Sequence, residues 1–207
     1  MDWKLALQIA GTVLGLLYLW LEYRANIWLW AVGAVMPVVH GVLYFRSGLY
    51  ADCAMQTYYV LAAIYGFIIW YGGRAASAKK ESAPAGIRHT PLRRIAPLAA
   101  AYALLHGAIY WLLVRFTDST VPFWDALTTA LCIVAYWMLS HKYVEQWLVW
   151  LAVDAITVGL YAVKGIPLTA ALYGLYCLLA VAGYRRWLKE IRPEKPDRPH
   201  PGASTAA

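Results

Sequence analysis

Residues Tyr143–Lys164 read YVEQWLVWLAVDAITVGLYAVK, and this stretch decides how the chain must fold. It is long and apolar enough to cross a bilayer core of about 30 Å as a helix. It nevertheless carries Asp154 near its middle, where a carboxylate costs at least about 2.5–3.5 kcal/mol on insertion scales. Trp147 and Trp150 precede Asp154 by seven and four residues, so all three side chains share one helical face. Two aromatic side chains and one polar group on a single face within a membrane indicate a small-molecule site.

The composition is that of an integral membrane protein. Of the 207 residues, 62% are hydrophobic and 14% are charged, whereas soluble domains have about a quarter charged residues. The net charge of +7 lies in loops and tail, where membrane topology requires it, so we expect no nucleic-acid partner. The three cysteines stand apart in apolar sequence and are expected to be small buried side chains. No nucleotide-binding loop, metal cluster or nucleophile–base set is present, so we expect no cofactor, no metal and no enzymatic activity.

Seven apolar segments have the length that spans a bilayer. They cover Leu5–Leu21, Ile27–Phe45, Leu49–Tyr71, Ile95–Val114, Val121–Ser140, Val144–Val163 and Ile166–Tyr184. This predicts an all-α membrane fold of seven transmembrane helices within residues 1–187. The connection Gly72–Arg94 is rich in Ala, Ser and basic residues and is expected to be flexible. Residues 188–207 are Pro-rich and charged and are expected to form a disordered cytoplasmic tail.

The basic residues predict the orientation. Fourteen of the 18 Lys and Arg residues fall on one side of this topology and four on the other. Cytoplasmic loops carry the excess of basic residues. The N-terminus is therefore expected outside and the C-terminus in the cytoplasm.

The sequence contains an internal repeat with an offset of 117 residues. Without gaps, the offset superimposes rare residue types, among them Trp30 on Trp147, Gly66 on Gly183, and Trp70 on Trp187. The first repeat covers about residues 5–72, a linker helix 95–115, and the second repeat about 121–187. Three helices, one linker helix and three helices make the two halves parallel. Transporters with repeats bind substrate between the halves, near the membrane midplane.

Several motifs resemble the PnuC family of bacterial vitamin-precursor transporters. They are LYLWLEYRANIWLW, GLYAD, FWDALTTAL, YVEQWLVWLAVD and KGIPLTAALY, and the resemblance extends from about Gly11 to Trp187. The most specific of them contains Trp147, Trp150 and Asp154 in the pattern W-x-x-W-x-x-x-N/D.

The resemblance implies a function and an assembly. Members of the family carry nicotinamide riboside across the bacterial inner membrane by facilitated diffusion, and a cytoplasmic vitamin kinase phosphorylates and traps it. Their 3+1+3 fold is similar to that of the SWEET sugar transporters, and they form homotrimers. For this chain the resemblance therefore implies a small-molecule vitamin as substrate and membrane lipid as surroundings.

Two positions depart from the nicotinamide riboside pattern. Its members usually have Asn where this chain has Asp154, and A-Q-Y-L where this chain has Ala135-Tyr136-Trp137-Met138. Asn both donates and accepts hydrogen bonds and suits a carboxamide, whereas an ionised Asp only accepts. A carboxylate suits the aminopyrimidine and thiazolium of thiamine, which a branch of the family carries.

Each of the three residues on this helical face also has a structural interpretation. Trp147 and Trp150 can bind a flat cation through their rings, or they can serve in helix packing or at the membrane interface. Asp154 can contact the ligand, couple transport to protons, or pair with a neighbouring polar side chain.

Further candidates come from matching positions of the two repeats. Gln56 and Tyr59 correspond to Tyr173 and Tyr176, and these four can line one central cavity or bond between helices. Asp125 and Thr128 open the fifth segment. Asp125 can contact a hydroxyl group of the ligand at the outer mouth or simply interact with the helix dipole. A proton-coupled carrier of small solutes is a further hypothesis.

Overall fold

The computed structural model describes residues 3–46, 50–79, 86–163 and 165–191. Over these ranges the chain forms seven α-helices and no β-strand. They are α1 (Trp3–Tyr23), α2 (Trp28–Arg46), α3 (Tyr50–Lys79), α4 (Leu92–Phe116), α5 (Pro122–Ser140), α6 (Gln146–Val163) and α7 (Pro167–Glu190). Pro122 and Pro167 begin α5 and α7, where the fixed φ and missing N–H of proline are well tolerated. Asn26 Oδ1 accepts a hydrogen bond from Trp28 N at 3.0 Å and so caps the start of α2.

The connection between α3 and α4 differs from the expected flexible loop. Gly72–Lys79 continue α3 as helix, and Ile87 is buried. The backbone of Arg88 pairs with the α5–α6 turn, since Arg88 N donates to Lys142 O at 3.1 Å and Arg88 O accepts a hydrogen bond from Val144 N at 3.0 Å. The end of this connection is therefore docked on the protein. Residues 80–85 and 192–207 and the side chain of Cys53 lie outside the described part.

Side-chain contacts of Glu145 link this docked segment to the start of α6. Its Oε1 lies 2.7 Å from His89 Nδ1, and its Oε2 accepts hydrogen bonds from the N and Oγ1 of Thr90 at 2.8 and 2.7 Å. Partial burial alone would raise the pKa of this carboxyl, but the bonds from His89 and Thr90 prevail and lower the pKa of Glu145 below its ordinary value. The carboxylate is therefore held in its ionised form.

The helices present surfaces that suit a lipid environment. Within the described residues, α4, α5 and α6 are each long and apolar enough to cross a membrane. The helix α4 has no buried residue, and large apolar side chains such as Leu104 (75% exposed) and Trp111 (60% exposed) point away from the protein. Apolar exposure along a whole helix is unfavourable in water and favourable in lipid. The chain is thus a membrane protein.

Helix packing divides the chain into two groups, α1–α3 and α4–α7, which are joined by a few cross-contacts. Helix α2 packs along α3, α6 packs along α7, and α4 packs against α5. The groups meet where α3 reaches α5 and where α1 reaches α7.

Two turns that are 117 residues apart have the same backbone path. Ala25 follows α1 and Lys142 follows α5, and their φ angles are 48° and 55°. The N–H of each donates to the carbonyl three residues earlier, Glu22 and Leu139 respectively, at 2.9 Å in both cases. Positive φ is uncommon for residues with a side chain. These two turns are therefore built alike.

The same correspondence extends to buried tryptophans. Trp30 contacts Trp70 edge to face, with ring centroids 5.6 Å apart and planes at 89°. Trp147 contacts Trp187 in the same way, at 5.7 Å and 89°. All four side chains are at most 3% exposed. A tryptophan pair therefore closes the core at corresponding places in both groups of helices.

A glycine makes room for one tryptophan in each pair. A Cβ added to Gly66 would lie 2.4 Å from the ring of Trp30, and one added to Gly183 would lie 2.6 Å from the ring of Trp147. Only glycine allows the rings to lie this close to the backbones of α3 and α7.

Reciprocal hydrogen bonds join the two groups. Trp70 Nε1 on α3 donates to the carbonyls of Leu139 and Ser140 at the end of α5, at 3.3 and 3.0 Å. Trp187 Nε1 on α7 donates to the carbonyls of the last two residues of α1, at 3.2 and 3.3 Å. These bonds hold the ends of α1 and α5 in place. Both helices line a cavity that lies between the two groups.

Candidate substrate-binding site

A cavity of about 480 Å³ lies among α1, α3, α5, α6 and α7. Its size lies within the range of about 300–1,000 Å³ that is usual for small-molecule sites. Among the described residues that line it, none is Lys or Arg. Eight of the nine residues predicted from the sequence are found in its wall: Tyr59, Asp125, Thr128, Trp147, Trp150, Asp154, Tyr173 and Tyr176. The structure thus brings together residues that are up to 117 positions apart.

The face of α6 predicted from the helical offsets points into this cavity. Trp147, Trp150 and Asp154 all line it, and Asp154 is only 8% exposed. Thr157 lines the same wall, but its Oγ1 already donates to Val153 O at 2.7 Å. Asp154 is therefore the one acidic group that α6 places in the wall.

Trp147 serves mainly in packing. It is 2% exposed, and its ring is held between Gly183 and Trp187. It reaches the cavity only as part of that packed layer. Of the two interpretations of this residue, the geometry favours helix packing.

Aromatic rings form two walls. Trp150 lies edge to face against Tyr136 with centroids 5.5 Å apart, and Tyr136 lies 6.0 Å from Tyr59. A second group consists of Tyr161 and Tyr173, which stack with centroids 5.7 Å apart and planes at 12°. These walls offer ring faces and edges to a flat aromatic ligand.

The start of α5 forms one end of the cavity. Asp125 Oδ2 accepts a hydrogen bond from Ser119 Oγ at 2.6 Å, as a carboxylate in the first turn of a helix often does. Thr128 Oγ1 donates to the carbonyls of Trp124 and Asp125 at 3.0 and 3.2 Å. Both side chains are thus partly engaged within the protein although they line the cavity.

Gln56 lies apart from the other predicted residues. It lines a neighbouring cavity of about 400 Å³, together with Pro37 and Val32 of α2. Tyr59, Tyr136 and Trp150 line both cavities and stand between them. The structure therefore places Gln56 in the neighbouring cavity beside α2, whereas Tyr59 shares the central cavity with Tyr173 and Tyr176.

Among the wall residues that the sequence did not single out are Glu22, Tyr136 and Cys132. Glu22 is 1% exposed and lines the cavity from the last turn of α1, although in sequence it belongs to the polar run EYRAN between two apolar segments. Tyr136 occupies the position that departs from the family pattern, and this departure could have singled it out. Cys132 lines both cavities and is not simply a core residue as expected.

Several polar atoms around the cavity have no hydrogen-bond partner among the described residues. They include the Nε1 atoms of Trp147 and Trp150, the hydroxyl of Tyr18 and Oε1 of Glu22. Buried polar groups are nearly always paired in folded proteins. Unpaired donors and acceptors in the wall of one cavity are therefore available to a ligand. Within the described part there is no group of three or more His, Cys, Asp or Glu side chains that could hold a metal ion.

Comparison with known proteins agrees with this picture. Residues 5–189 match the model of the family described as nicotinamide mononucleotide transporter. The chain is 25% identical to the nicotinamide riboside transporter PnuC of Escherichia coli, over 90% of this chain and 86% of the relative. It is 28% identical to the riboflavin/roseoflavin transporter RibM of Streptomyces davaonensis, over 91% of this chain and 88% of the relative.

One solved structure has the same fold. The crystal structure of the vitamin B3 transporter PnuC superimposes with a TM-score of 0.63, covering 86% of this chain and 78% of that one at 24% identity.

Proposed function

Because the chain belongs to the PnuC family of nicotinamide mononucleotide transporters, we propose that it takes up nicotinamide riboside across the bacterial inner membrane. The observation that carries the proposal is the aromatic cavity in which Trp150 and Asp154 lie side by side on α6 and no basic residue is present. Nicotinamide riboside is a flat pyridinium cation. Trp150 and the tyrosines would contact its ring, and Asp154 would accept hydrogen bonds from it.

Transport proceeds by facilitated diffusion in this proposal. The two halves, residues 5–72 and 121–187, rock about the cavity, and a cytoplasmic vitamin kinase traps the substrate by phosphorylation. The matched turns, tryptophan pairs and reciprocal hydrogen bonds support a parallel 3+1+3 arrangement similar to that of SWEET transporters. The N-terminus lies outside, the C-terminus lies in the cytoplasm, and the protein assembles as a homotrimer.

Thiamine is the second candidate substrate, and Asp154 is the observation that favours it. A carboxylate accepts hydrogen bonds from the amino group of an aminopyrimidine, but it cannot donate to the carbonyl of a carboxamide. Riboflavin belongs in the same comparison, because a relative of similar identity is named as its transporter.

The test is uptake by purified protein in liposomes. Labelled nicotinamide riboside, thiamine and riboflavin are offered separately, with and without a protonophore. We expect nicotinamide riboside to equilibrate at a rate that the protonophore does not change. Uptake of thiamine or riboflavin in its place would reassign the substrate. Collapse of uptake on adding the protonophore would replace facilitated diffusion with proton coupling.

A further inference from the structure

We propose that Glu22 is a further carboxyl contact of the binding cavity and makes the site selective for organic cations. The inference rests on the proposed function, since it concerns how the same cavity distinguishes charged from uncharged substrates. It adds a residue from α1 to a site whose chemistry otherwise comes largely from α5, α6 and α7.

The backbone holds Glu22 firmly in the cavity wall. Its carbonyl accepts a hydrogen bond from Trp187 Nε1 at 3.2 Å, which ties the last turn of α1 to α7. The residue is 1% exposed and lines the cavity with Tyr18, one turn earlier on the same helix. Glu22 and Tyr18 therefore form one polar strip of α1 along the wall.

The carboxylate has unused bonding capacity. Among the described residues, Glu22 Oε1 has no hydrogen-bond partner. The buried amide of Gln146 lies close to the Glu22 carboxyl, but neither its oxygen nor its nitrogen is within hydrogen-bond geometry of a described group. A buried carboxylate oxygen without a donor is unfavourable. A ligand that brings a donor or a positive charge would remove that cost.

Nearby basic side chains do not supply this charge. Arg24 is exposed and stacks over Trp20 with its guanidinium 4.8 Å from the ring centroid. Arg186 forms an ion pair with Glu190 at 3.1 Å and lies over Tyr23. Neither ion pair found within the described residues includes Glu22.

The three carboxylates of the cavity come from both halves of the chain. Glu22 lies on α1, Asp125 on α5 and Asp154 on α6, and the positions 117 residues away are Leu139, Gln8 and Pro37. The acidic groups are thus not copies of one repeated feature. Together with ring faces and the absence of Lys and Arg from the wall, they fit a flat ligand whose positive charge resides in an aromatic ring.

The test compares a cation with its uncharged counterpart. Binding of nicotinamide riboside, thiamine and the reduced, uncharged dihydropyridine form of nicotinamide riboside is measured by calorimetry on the purified wild type and on Glu22→Gln. For Glu22→Gln we expect binding of the cations to weaken about tenfold or more and binding of the uncharged form to change less than about threefold. Glu190→Gln removes a surface carboxylate and is expected to bind like the wild type.

Equal binding of the cations by Glu22→Gln and the wild type would overturn the inference while leaving the proposed function intact. Equal weakening of charged and uncharged ligands would also overturn it and assign Glu22 a structural role. A wild type that binds none of these ligands would overturn the proposed function itself. If Glu22→Gln does not fold, Glu22→Asp takes its place, since it keeps the charge but withdraws it by one methylene. Binding of the cations should then still weaken more than binding of the uncharged form. Equal weakening of both would refute selection by charge.

Discussion

Trp150 carries the aromatic part of the proposed recognition. It lines both cavities, contacts Tyr136, and its Nε1 has no partner among the described residues. Trp147, in contrast, is locked between Gly183 and Trp187. Of the two tryptophans in this motif, Trp150 is therefore the proposed ligand contact and Trp147 serves in helix packing.

The change Trp150→Leu tests this division. We expect affinity for the cationic vitamin to fall by about five- to thirtyfold, the equivalent of about 1–2 kcal/mol of lost cation–π contact, with a smaller loss for Trp150→Phe. Calorimetric binding measures both. Trp111→Leu is the matched control, because Trp111 lies on α4, is 60% exposed and does not line the cavity. An unchanged affinity in Trp150→Leu would remove this residue from the site.

Glu145 makes a small contribution to stability that depends on pH. Its pKa is lowered in the folded protein, so the stabilisation is fully present above the ordinary glutamate pKa of about 4.3 and is lost as the pH falls through the lowered value. Glu145→Gln should therefore unfold at a lower temperature than the wild type at neutral pH, and the difference should shrink in acid. Thermal unfolding of both proteins between about pH 7 and pH 3 measures it, with Glu190→Gln as control. A difference that does not vary with pH would argue against the ionised carboxylate as the cause.

At the residue scale the sequence could predict what helical geometry dictates. The offsets of four and seven residues correctly placed Trp150 and Asp154 in one wall. Glu22 could not be found in this way, because its local sequence is that of a polar connection. Only the contact of α1 with α7 turns its side chain into the cavity. Gln56 is the converse case, since the repeat places it with Tyr59 but the structure has it beside Val32 and Pro37 of α2 in the neighbouring cavity.

At the element scale, the contact of a tryptophan with a glycine on a neighbouring helix governs how closely the helices approach. Trp147 lies against Gly183 of α7, and Trp30 lies against Gly66 of α3. A side chain at either glycine would overlap a ring atom. The fold therefore depends on these two glycines more than on helical glycines such as Gly15 and Gly174, where an added Cβ would meet nothing within 4 Å.

Two substitutions in α7 separate packing from helix propensity. Gly183→Ala should destabilise the protein by about 1–3 kcal/mol, because the added Cβ overlaps Trp147. Gly174→Ala lies in the same helix with nothing within 4 Å of its Cβ and should be neutral or stabilising by up to about 1 kcal/mol. Unfolding midpoints measured in one detergent give the comparison. Equal midpoints for the two variants would show that the ring does not limit the approach of the helices.

The elements themselves were largely predictable, since each of the seven helices covers the apolar segment expected for it, apart from at most two residues at its start. The docked end of the α3–α4 connection was not. Its residues are polar, and their order comes from bonds of Arg88, His89 and Thr90 to the distant α5–α6 turn and Glu145. Contacts between segments so far apart in sequence leave no local pattern.

At the scale of the whole molecule, the distribution of basic residues predicts an orientation that can be tested in cells. A phosphatase that is active only outside the cytoplasm, fused after Asp118 in the α4–α5 connection, should be active. The same phosphatase fused after Ile191 should be inactive. The reverse pattern would show that the protein has the opposite orientation in the membrane and would contradict the proposed topology.

The proposed substrate site requires that the carboxylate in the middle of α6 contacts the substrate. Calorimetric titration of nicotinamide riboside and thiamine into the purified wild type, Asp154→Ala and Asp118→Ala tests this, because Asp118 is an exposed carboxylate outside the cavity. We predict that the wild type and Asp118→Ala bind one of the two vitamins equally well and that Asp154→Ala binds it at least about tenfold more weakly. Undiminished binding of both vitamins by Asp154→Ala would contradict the assignment of this cavity as the substrate site.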